Sequence, residues 1–202
     1  MTSLASLEAF AEHRGVEVDF TDVAAIRALE VTSSFLRMQT GQHLDVVTGD
    51  VQELTGDWTN VLWLPQVPVH VDDEEAETLV SLRCAGETAY TELAPTAYSV
   101  TRDGQLLKFS GYWGGLKARV RVTYDHGYEE GHERLGDIEN LVCSLAARAM
   151  SATQAMMAVP AGVASETLGA YAVTYVTYAD VASVGLSGTE AALIEALKNP
   201  HG

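Results

Sequence analysis

The sequence predicts an α+β fold: a helical body of about four helices, an inserted small antiparallel β-sheet or barrel, and a C-terminal extended segment followed by a helix. Apolar residues recur at helical spacing near both ends of the chain, whereas short runs rich in Val, Thr and aromatic residues fill its middle. The 202 residues are 47% hydrophobic, which is enough for a sizeable core. The expected segments are 1–42 (helices of the body), 43–127 (β domain), 128–160 (long helix) and 161–202 (strand and helix arm).

Two helices are expected in the first segment. The first fifteen residues have helical spacing, and Gly15 can end that helix in a left-handed conformation. The second helix is expected from about Thr21, as its N-cap, to Gln39, with Asp22 favoured by the positive end of the helix dipole. This helix has a sparse inward stripe with a small residue in it, which fits close helix packing or a face completed by another subunit. The stripe consists of Ile26, Leu29, Ser33 and Leu36.

The β domain is predicted from short strands between His43 and about Tyr124, separated by Gly, Pro, Asp and Asn. Pro65 and Pro68 indicate an edge or a corner, because proline cannot donate to a sheet ladder. The Asp-Gly pair within "RDGQ" at 102–105 is typical of a tight hairpin.

After the β domain the helical period returns. A third helix is predicted from about Glu133 to Ala152, and it places Cys143 in an apolar pattern, where a buried and reduced thiol is expected. The run "GAYAVTYVTY" at 169–178 predicts a strand within a hairpin or loose segment. The last helix begins with a capping box formed by Ser187 and Glu190.

The charge of the chain restricts its partners. With 28 acidic and 12 basic residues, the net charge of −16 disfavours sequence-independent nucleic-acid binding, which needs Lys and Arg against phosphates. The acidic run "DDEEAE" at 72–77 is expected to be a solvated turn. No apolar run is long enough for a membrane span, and the N-terminus lacks the pattern of a signal peptide, so synthesis inside the cell is expected.

The stretch "VRVTYDHGYEEGHER" at 120–134 concentrates ionisable residues. His126 and His132, with Asp125 and Glu133, could supply metal ligands, but the histidines stand six positions apart across a glycine turn, and paired ligands usually stand two or four apart. Alternation up to Tyr124 indicates a half-buried strand, which Gly127 can end with a positive φ. We therefore expect a structural corner formed by Tyr124, His126, Gly127 and Tyr128.

Two alternative functions remain open at this stage. One is a metal-dependent enzyme that uses His126 and His132. The other is a β-rich carbohydrate-binding module that presents Trp58, Trp63 and Trp113, although three tryptophans in a β-rich block are more often core or interface residues. The chain has no GxSxG elbow and no phosphate-binding glycine motif, and we predict no catalytic residue, metal or cofactor.

Seven segments, in order, resemble a known family. They are "SLEAFAEHRG", "SSFLRMQTGQ", "VLWLPQVPV", "RVRVTYDHGY", "DIENLVCSLAARAM", "SETLGAYAVTY" and "GLSGTEAALIEAL", and together they span nearly the whole chain. The chain resembles the head-to-tail adaptor (connector) proteins of long-tailed bacteriophages (siphoviruses), especially the actinobacteriophage type. It departs from them at Asp125, where a threonine is common.

The resemblance implies a virion protein without catalytic activity. It implies a homo-oligomeric ring, expected to be dodecameric, between the portal protein and the tail-completion (stopper) proteins at the head–tail interface. Genomic DNA would pass through its lumen without specific binding, no membrane would be involved, and the chain would be made in the host cytoplasm. We further hypothesise that the last helix is a portal-docking arm that presents Leu186, Leu193, Ile194 and Leu197.

Overall fold

The computed structural model describes residues 3–71, 78–115, 117–129, 131–158, 165–168, 171–174 and 186–199. For 152–158, 165–168 and 171–174 it describes the backbone alone. The predicted α+β class is confirmed, with helices and small antiparallel sheets. The chain divides into a helical unit, Met1–Leu36 with Gly136–Ala196, and a β unit, Arg37–Leu135 with Leu197–Gly202. The four segments predicted from the sequence stay a proposal.

The described ranges contain four α-helices. They are α1 (Leu7–Arg14), α2 (Val23–Thr40), α3 (Glu133–Ala158) and α4 (Gly188–Leu197). Helix α1 ends, as predicted, at Gly15 with φ of 65°. Its N-cap is Ser6, whose hydroxyl accepts the N–H of Ala9 at 3.0 Å. Helix α3 extends six residues beyond its predicted end at Ala152.

The predicted N-cap of α2 was wrong by one residue. Asp22, not Thr21, caps this helix, because its Oδ1 accepts the N–H of Ala25 at 3.0 Å and its carbonyl accepts the N–H of Ile26. Thr21 instead donates its hydroxyl to Asp19 at 2.7 Å. Neighbouring cap-forming residues compete for one position, and the choice depends on the turn that precedes them.

The inward stripe of α2 lies in the core of the helical unit. Leu29, Ser33 and Leu36 are buried, and Ile26 is half-buried. The Ser33 hydroxyl accepts the N–H of Leu4 at 3.0 Å and donates to the carbonyl of Leu29 at 2.7 Å. The small residue in the stripe therefore lets the N-terminal segment approach α2 closely, so the stripe is covered within the chain. The buried apolar residues of this unit include Ala5, Phe10, Ala11, Ala25, Leu29, Leu36, Ile138, Leu141, Val142, Cys143, Ala146 and Ile194.

Short strands form the β unit. They are β1 (Val47–Thr55), β2 (Val61–Trp63), β3 (Leu79–Arg83), β4 (Thr91–Glu92), β5 (Tyr98–Val100), β6 (Gln105–Lys108) and β7 (Arg119–His126). One antiparallel sheet has the order β1-β7-β3-β4, and a second has the order β2-β6-β5. The predicted hairpin at 102–105 is present as the β5–β6 connection.

Both sheets contribute to one hydrophobic core. The predicted alternation of β7 is confirmed, because Val120, Val122, Tyr124 and His126 are buried while the residues between them face outward. Trp113 is fully buried and donates its indole N–H to the carbonyl of Asn60 at 3.0 Å. The buried members of this cluster are Leu62, Leu64, Val69, Val80, Tyr98, Leu106, Trp113, Val120, Val122 and Tyr124.

In the helical unit the strand predicted at 169–178 is part of a hairpin. Strand β8 (Ser165–Leu168) pairs antiparallel with β9 (Tyr171–Thr174). Residues 169–170 and 175–178 of the predicted strand lie outside the described residues, as does the acidic run at 72–77.

Candidate functional site

The corner predicted at the end of β7 is buried and held by backbone hydrogen bonds. Tyr124, His126 and Tyr128 are all buried. The N–H of Gly127 donates to the carbonyl of Pro68 at 2.9 Å, and the N–H of Tyr128 donates to the carbonyl of Leu44 at 3.2 Å. The chain therefore leaves the sheet while it is held between two other backbone segments.

Gly127 is required at this point for two reasons. Its φ of 105° lies in a region that residues with a side chain rarely adopt. A Cβ added there would also overlap the backbone carbonyl of Asp45 and come within 3.0 Å of the Cα of Val46. Because both neighbours are backbone atoms, they cannot move aside as a flexible side chain could.

His126 is 1% exposed and hydrogen-bonded to a carboxylate. Its Nε2 lies 3.2 Å from Oδ2 of Asp50. Burial lowers the pKa of His126 below its usual value, so at neutral pH the neutral imidazole donates its Nε2–H to Asp50. Although burial acts to raise it, hydrogen bonds from Gln52 and His126 hold the pKa of the Asp50 carboxyl below its ordinary value.

Two further histidines lie close to the corner. The ring centroid of His43 is 5.7 Å from that of His126. The Nε2 of His70 lies 2.8 Å from the carbonyl of Gly127, and its Nδ1 lies 3.3 Å from the carboxylate of Glu129. These contacts join the corner to His43, which follows α2, and to His70, which follows Pro68.

The structure does not assemble the metal site that the sequence left open. The ring of His132 packs against Tyr128, and its Nδ1 accepts the N–H of Arg134 at 3.1 Å. Asp125 accepts the N–H of Gly49 at 2.6 Å, which ties β7 to the irregular start of β1. Within the described residues, no group of three or more His, Cys, Asp or Glu side chains is placed to hold a metal ion.

Three amide side chains near the corner were missed by sequence reasoning. Gln42 donates to the carbonyl of Pro65 and accepts the N–H of Val67, both at 2.8 Å. Asn199 donates to the carbonyl of Leu64 at 2.8 Å. Gln66 donates to the carbonyl of Gly41 at 3.0 Å. The two prolines were the one available signal, since a segment that cannot join a sheet must be satisfied by side chains.

The residues of the proposed docking arm differ in exposure. Ile194 and Leu197 are 5% and 3% exposed, Leu193 is half-buried, and Leu186 is 36% exposed. The predicted capping box of α4 is confirmed: the N–H of Ser187 donates to Glu190 at 2.8 Å, and the N–H of Glu190 donates to the Ser187 hydroxyl at 3.3 Å.

Within the helical unit, α4 is also tied to α3 by an ion pair. Nη2 of Arg148 lies 2.5 Å from Oε1 of Glu190. Although burial acts to raise it, hydrogen bonds from the N–H of Ser187 and from Arg148 hold the pKa of Glu190 below its ordinary value. The helix is therefore capped at its start and attached along its first turn.

The three tryptophans do not form a common platform. Trp113 is fully buried, Trp63 is half-buried in β2, and Trp58 is 69% exposed. The predicted buried and reduced state of Cys143 is confirmed, and burial raises the pKa of this thiol to about 11. Among the described helices, none combines the length and the apolar character needed to cross a bilayer.

These features define an α+β protein with a buried structural corner.

No protein-family model matches the chain, and no curated protein matches it. The chain is similar over 98% of its length, and over 94% of the other chain, to a chain in the structure described as "Neck of empty GTA particle computed with C6 symmetry", where GTA is a gene transfer agent. The TM-score is 0.53 and the identity is 18%, so this similarity shows a shared fold. "Neck of native GTA particle computed with C12 symmetry" gives a TM-score of 0.48 at 17% identity, covering 98% of this chain and 94% of that one.

Replacing Gly127 by alanine should lower the free energy of unfolding by about 3 kcal/mol or more, because the strained φ and the overlap with the backbone of Asp45 add to each other. Chemical denaturation monitored by tryptophan fluorescence measures the change. Gly86→Ala is the matched control: Gly86 also has a positive φ, but nothing lies within 4 Å of an added Cβ, so about 1 kcal/mol is expected. Equal losses in the two variants would contradict the role of the carbonyl overlap.

Replacing His126 by alanine should lower the stability by about 2 kcal/mol, because it leaves a cavity and removes a hydrogen bond to Asp50. Burial lowers the pKa of His126 in the folded state below its pKa in the unfolded state, so protonation of the imidazole favours unfolding. The contribution of His126 to stability is therefore fully present above the unfolded-state pKa, and it is lost as the pH falls through the folded-state pKa.

The pH dependence of the stability distinguishes the loss of the buried imidazole from the mere creation of a cavity at position 126. Below about pH 6.5, the stability of the wild type should fall more steeply than that of His126→Gln, by at most about 1.4 kcal/mol per pH unit. Thermal unfolding across pH 5–8 measures the two slopes. His13→Ala removes an exposed imidazole and should follow the wild type. An unchanged melting temperature in His126→Ala would count against the structural role.

Proposed function

We propose that the chain is a structural virion protein that forms the head-to-tail adaptor ring between the portal and the tail-completion (stopper) proteins of a long-tailed phage-like particle. The observation that carries this proposal is the fold shared, over 98% of the chain, with a chain from a particle neck. The seven ordered sequence segments that resemble phage adaptor proteins support it independently of the fold.

The ring itself is part of the proposal. The neck structure with which the fold is shared was computed with C6 symmetry, which describes a repeated arrangement in that particle. A ring of twelve subunits is compatible with six-fold symmetry, and subunits of a closed ring contact each other head to tail. The protein would then reside in the virion, at the head–tail interface, after synthesis in the host cytoplasm.

The proposed ring extends the channel through which DNA passes. With 28 acidic and 12 basic residues, the chain has too little positive charge to bind phosphates along a lumen. Acidic walls repel DNA and let it slide, so genomic DNA would pass without specific binding. No catalysis is part of this function.

The two alternative functions are less well supported by the geometry. A metal-dependent enzyme would need His126 and His132 to share a ligand sphere, but each has separate partners, Asp50 and the Tyr128–Arg134 segment. A carbohydrate-binding module would need an aromatic platform, but Trp113 belongs to the core. An adaptor needs neither feature.

Electron microscopy of the chain mixed with its cognate portal tests the ring. We expect the portal to carry an added ring of this protein, with twelve subunits, and we expect no change in the ring when metal chelators are present. A monomer in the absence of the portal is compatible with the proposal, because a template can drive assembly. An intact portal that gains no density and co-sediments with none of the chain, at any mixing ratio, would refute the proposed function.

We also propose that the last helix is a portal-docking arm. The burial of part of α4 restricts the residues that can contact the portal. Ile194 and Leu197 are buried in this chain, so we propose that they hold the helix in place. Leu186 and Leu193 retain exposed surface for a groove on the portal. Deleting residues 186–202 would remove the buried pair and the Asn199 contact with Leu64, so a truncated chain would lose stability as well as the arm.

Point variants test the arm without this loss. Leu186→Asp combined with Leu193→Asp should weaken portal binding by about tenfold or more, since covering a leucine contributes about 1.5–3 kcal/mol and 1.4 kcal/mol is tenfold. Co-sedimentation with the portal measures the effect, and thermal unfolding verifies the fold. Ala191→Asp, at an exposed position of the same helix, is the control. Unchanged portal binding by the double variant would contradict the arm.

A further inference from the structure

The connection between α1 and α2 exposes three large apolar side chains within five residues. Val16, Val18 and Phe20 are 52%, 38% and 65% exposed, and they alternate with the exposed residues Glu17 and Asp19. This alternation is the pattern of a half-buried β-strand, which has one apolar side and one charged side. Residues 17–19 nevertheless lie in neither a helix nor a sheet of this chain. We call residues 16–20 the connecting segment.

The backbone of the connecting segment also has donors to offer. Within the described residues, the N–H groups of Glu17, Val18 and Phe20 donate to no other group of the chain. The turn that follows is fixed by Asp19, whose carboxylate accepts the N–H of Thr21 at 2.8 Å. The connecting segment therefore has both the side-chain pattern and the available main-chain donors of a strand that lacks its neighbour.

The sheet that contains β1 has an open edge. Strand β1 pairs with β7 on one side, and no described strand pairs with it on the other side. An edge of this kind is a template for the addition of another strand. The other edge strands described in the chain have two to four residues, whereas β1 has nine. An added strand of five residues spans roughly 17 Å, so β1 is the described edge that is long enough to accept one along its whole length.

The outward face of the same sheet has an excess of cations next to β1. Arg119 and Arg121 lie 3.5 Å and 3.9 Å from Glu53 of β1, and their side chains are 36% and 46% exposed. Arg83 is the partner of Arg119 across β3 and β7 and therefore lies on the same face. Glu92 is on β4, at the far edge of the sheet. Three guanidinium groups thus face one carboxylate on the side of the sheet where β1 is the edge.

We propose that the connecting segment of one copy of this chain adds as a strand to the open edge of β1 in the next copy. The main-chain groups of the two strands then bond to each other. Glu17 lies on the outward face, within reach of the guanidinium groups one strand further in. The apolar side chains of the segment lie on the opposite face, where Leu54 packs against the core of the β unit and is only half-buried at the open edge.

A second copy is the occupant because one chain carries both features and leaves both unpaired. In a head-to-tail contact the connecting segment of each copy covers the edge strand of the next, so a closed ring leaves no such edge open. The acidic side of the segment also complements the arginines beside β1. The inference rests on the proposed ring, in which it supplies a contact between neighbours.

Proline substitutions test strand addition without removing a hydrogen bond of the folded chain. Glu17→Pro and Val18→Pro each remove one N–H that has no acceptor among the described residues. Successive N–H groups of a strand point to opposite sides, so one of these two donors is directed at β1. At least one variant should form about tenfold fewer rings on the portal or less. Val18→Thr keeps the N–H and the strand preference, so it should assemble like the wild type, and thermal unfolding verifies each fold.

A charge reversal tests the position of Glu17 beside the arginines. Glu17→Lys should form about threefold fewer rings, because a cation then meets the guanidinium groups at every contact. Glu12→Lys makes the same change of charge at an exposed position of α1 and is the control, which should assemble like the wild type. Equal losses in the two variants would place Glu17 away from the cluster and overturn the proposed orientation.

Cross-linking between two different chains measures the contact directly. One chain carries Glu17→Cys, the other carries Val51→Cys and a size tag, and both carry Cys84→Ser, since Cys143 is buried. Val51 is 55% exposed on β1, on the same face as Glu53. A short bismaleimide should join the two chains on the portal and in concentrated solution. Glu8→Cys, at an exposed position of α1, replaces Glu17→Cys in the control and should give no pair.

The outcomes separate the contact from the proposed function. Rings that form normally from both proline variants, with no cross-linked pair, overturn the contact and leave the adaptor function standing. A wild type that never binds the portal, while the 17–51 pair forms in concentrated solution, overturns the adaptor function and upholds the contact. A pair that forms equally well from position 8 shows random collision and overturns the contact.

Discussion

The backbone of residues 64–68 is the constraint on which the β unit depends. Pro65 and Pro68 have no N–H, so this segment cannot complete a sheet ladder, and its buried polar groups must find other partners. Gln42 and Asn199, which are far apart in the sequence, donate to the carbonyls of this segment. A buried carbonyl without a partner costs about 1–3 kcal/mol, so these amides fix the end of α2 and the C-terminal tail to one short segment.

The same segment determines what the ionisable stretch at 120–134 can do. The carbonyl of Pro68 accepts the N–H of Gly127, and the Tyr124 hydroxyl accepts the N–H of Gln66 at 3.3 Å. Burial raises the pKa of Tyr124, and it lowers the pKa of His126. Both side chains are therefore neutral at physiological pH, and their polar atoms are directed at neighbouring groups of the protein. The acid–base groups Tyr124 and His126 of this stretch therefore fix the backbone of the corner.

Local sequence patterns predicted the helices, strands and helix caps. The strand order and the side-chain contacts depend on residues that are far apart in the sequence. The period of α3, the alternation of β7 and the Ser187–Glu190 capping box all depend on residues close together in sequence, so they could be predicted. The order β1-β7-β3-β4 and the amides around Pro65 could not, since pairing across many residues leaves no local pattern. The sequence also could not distinguish a core tryptophan from a surface one: Trp113 is buried, while the positive φ of Trp58 and the glycines beside it leave Trp58 exposed. The sequence indicated a corner after Tyr124 but gave no signal for the Asp50 partner of His126.

Net charge is a poor guide to the local electrostatics of this protein. The value of −16 is an average over the whole chain, within which Arg83, Arg119 and Arg121 gather near Glu53 on one face of the sheet. At physiological salt, charges separated by more than about 8 Å are largely screened, so a partner responds to the local cluster that it touches. In the proposed ring, acidic surfaces along the channel would repel DNA, and contacts between subunits would depend on local clusters such as this one. Repulsion along the proposed channel and attraction between the subunits of the proposed ring are therefore compatible in one acidic sequence.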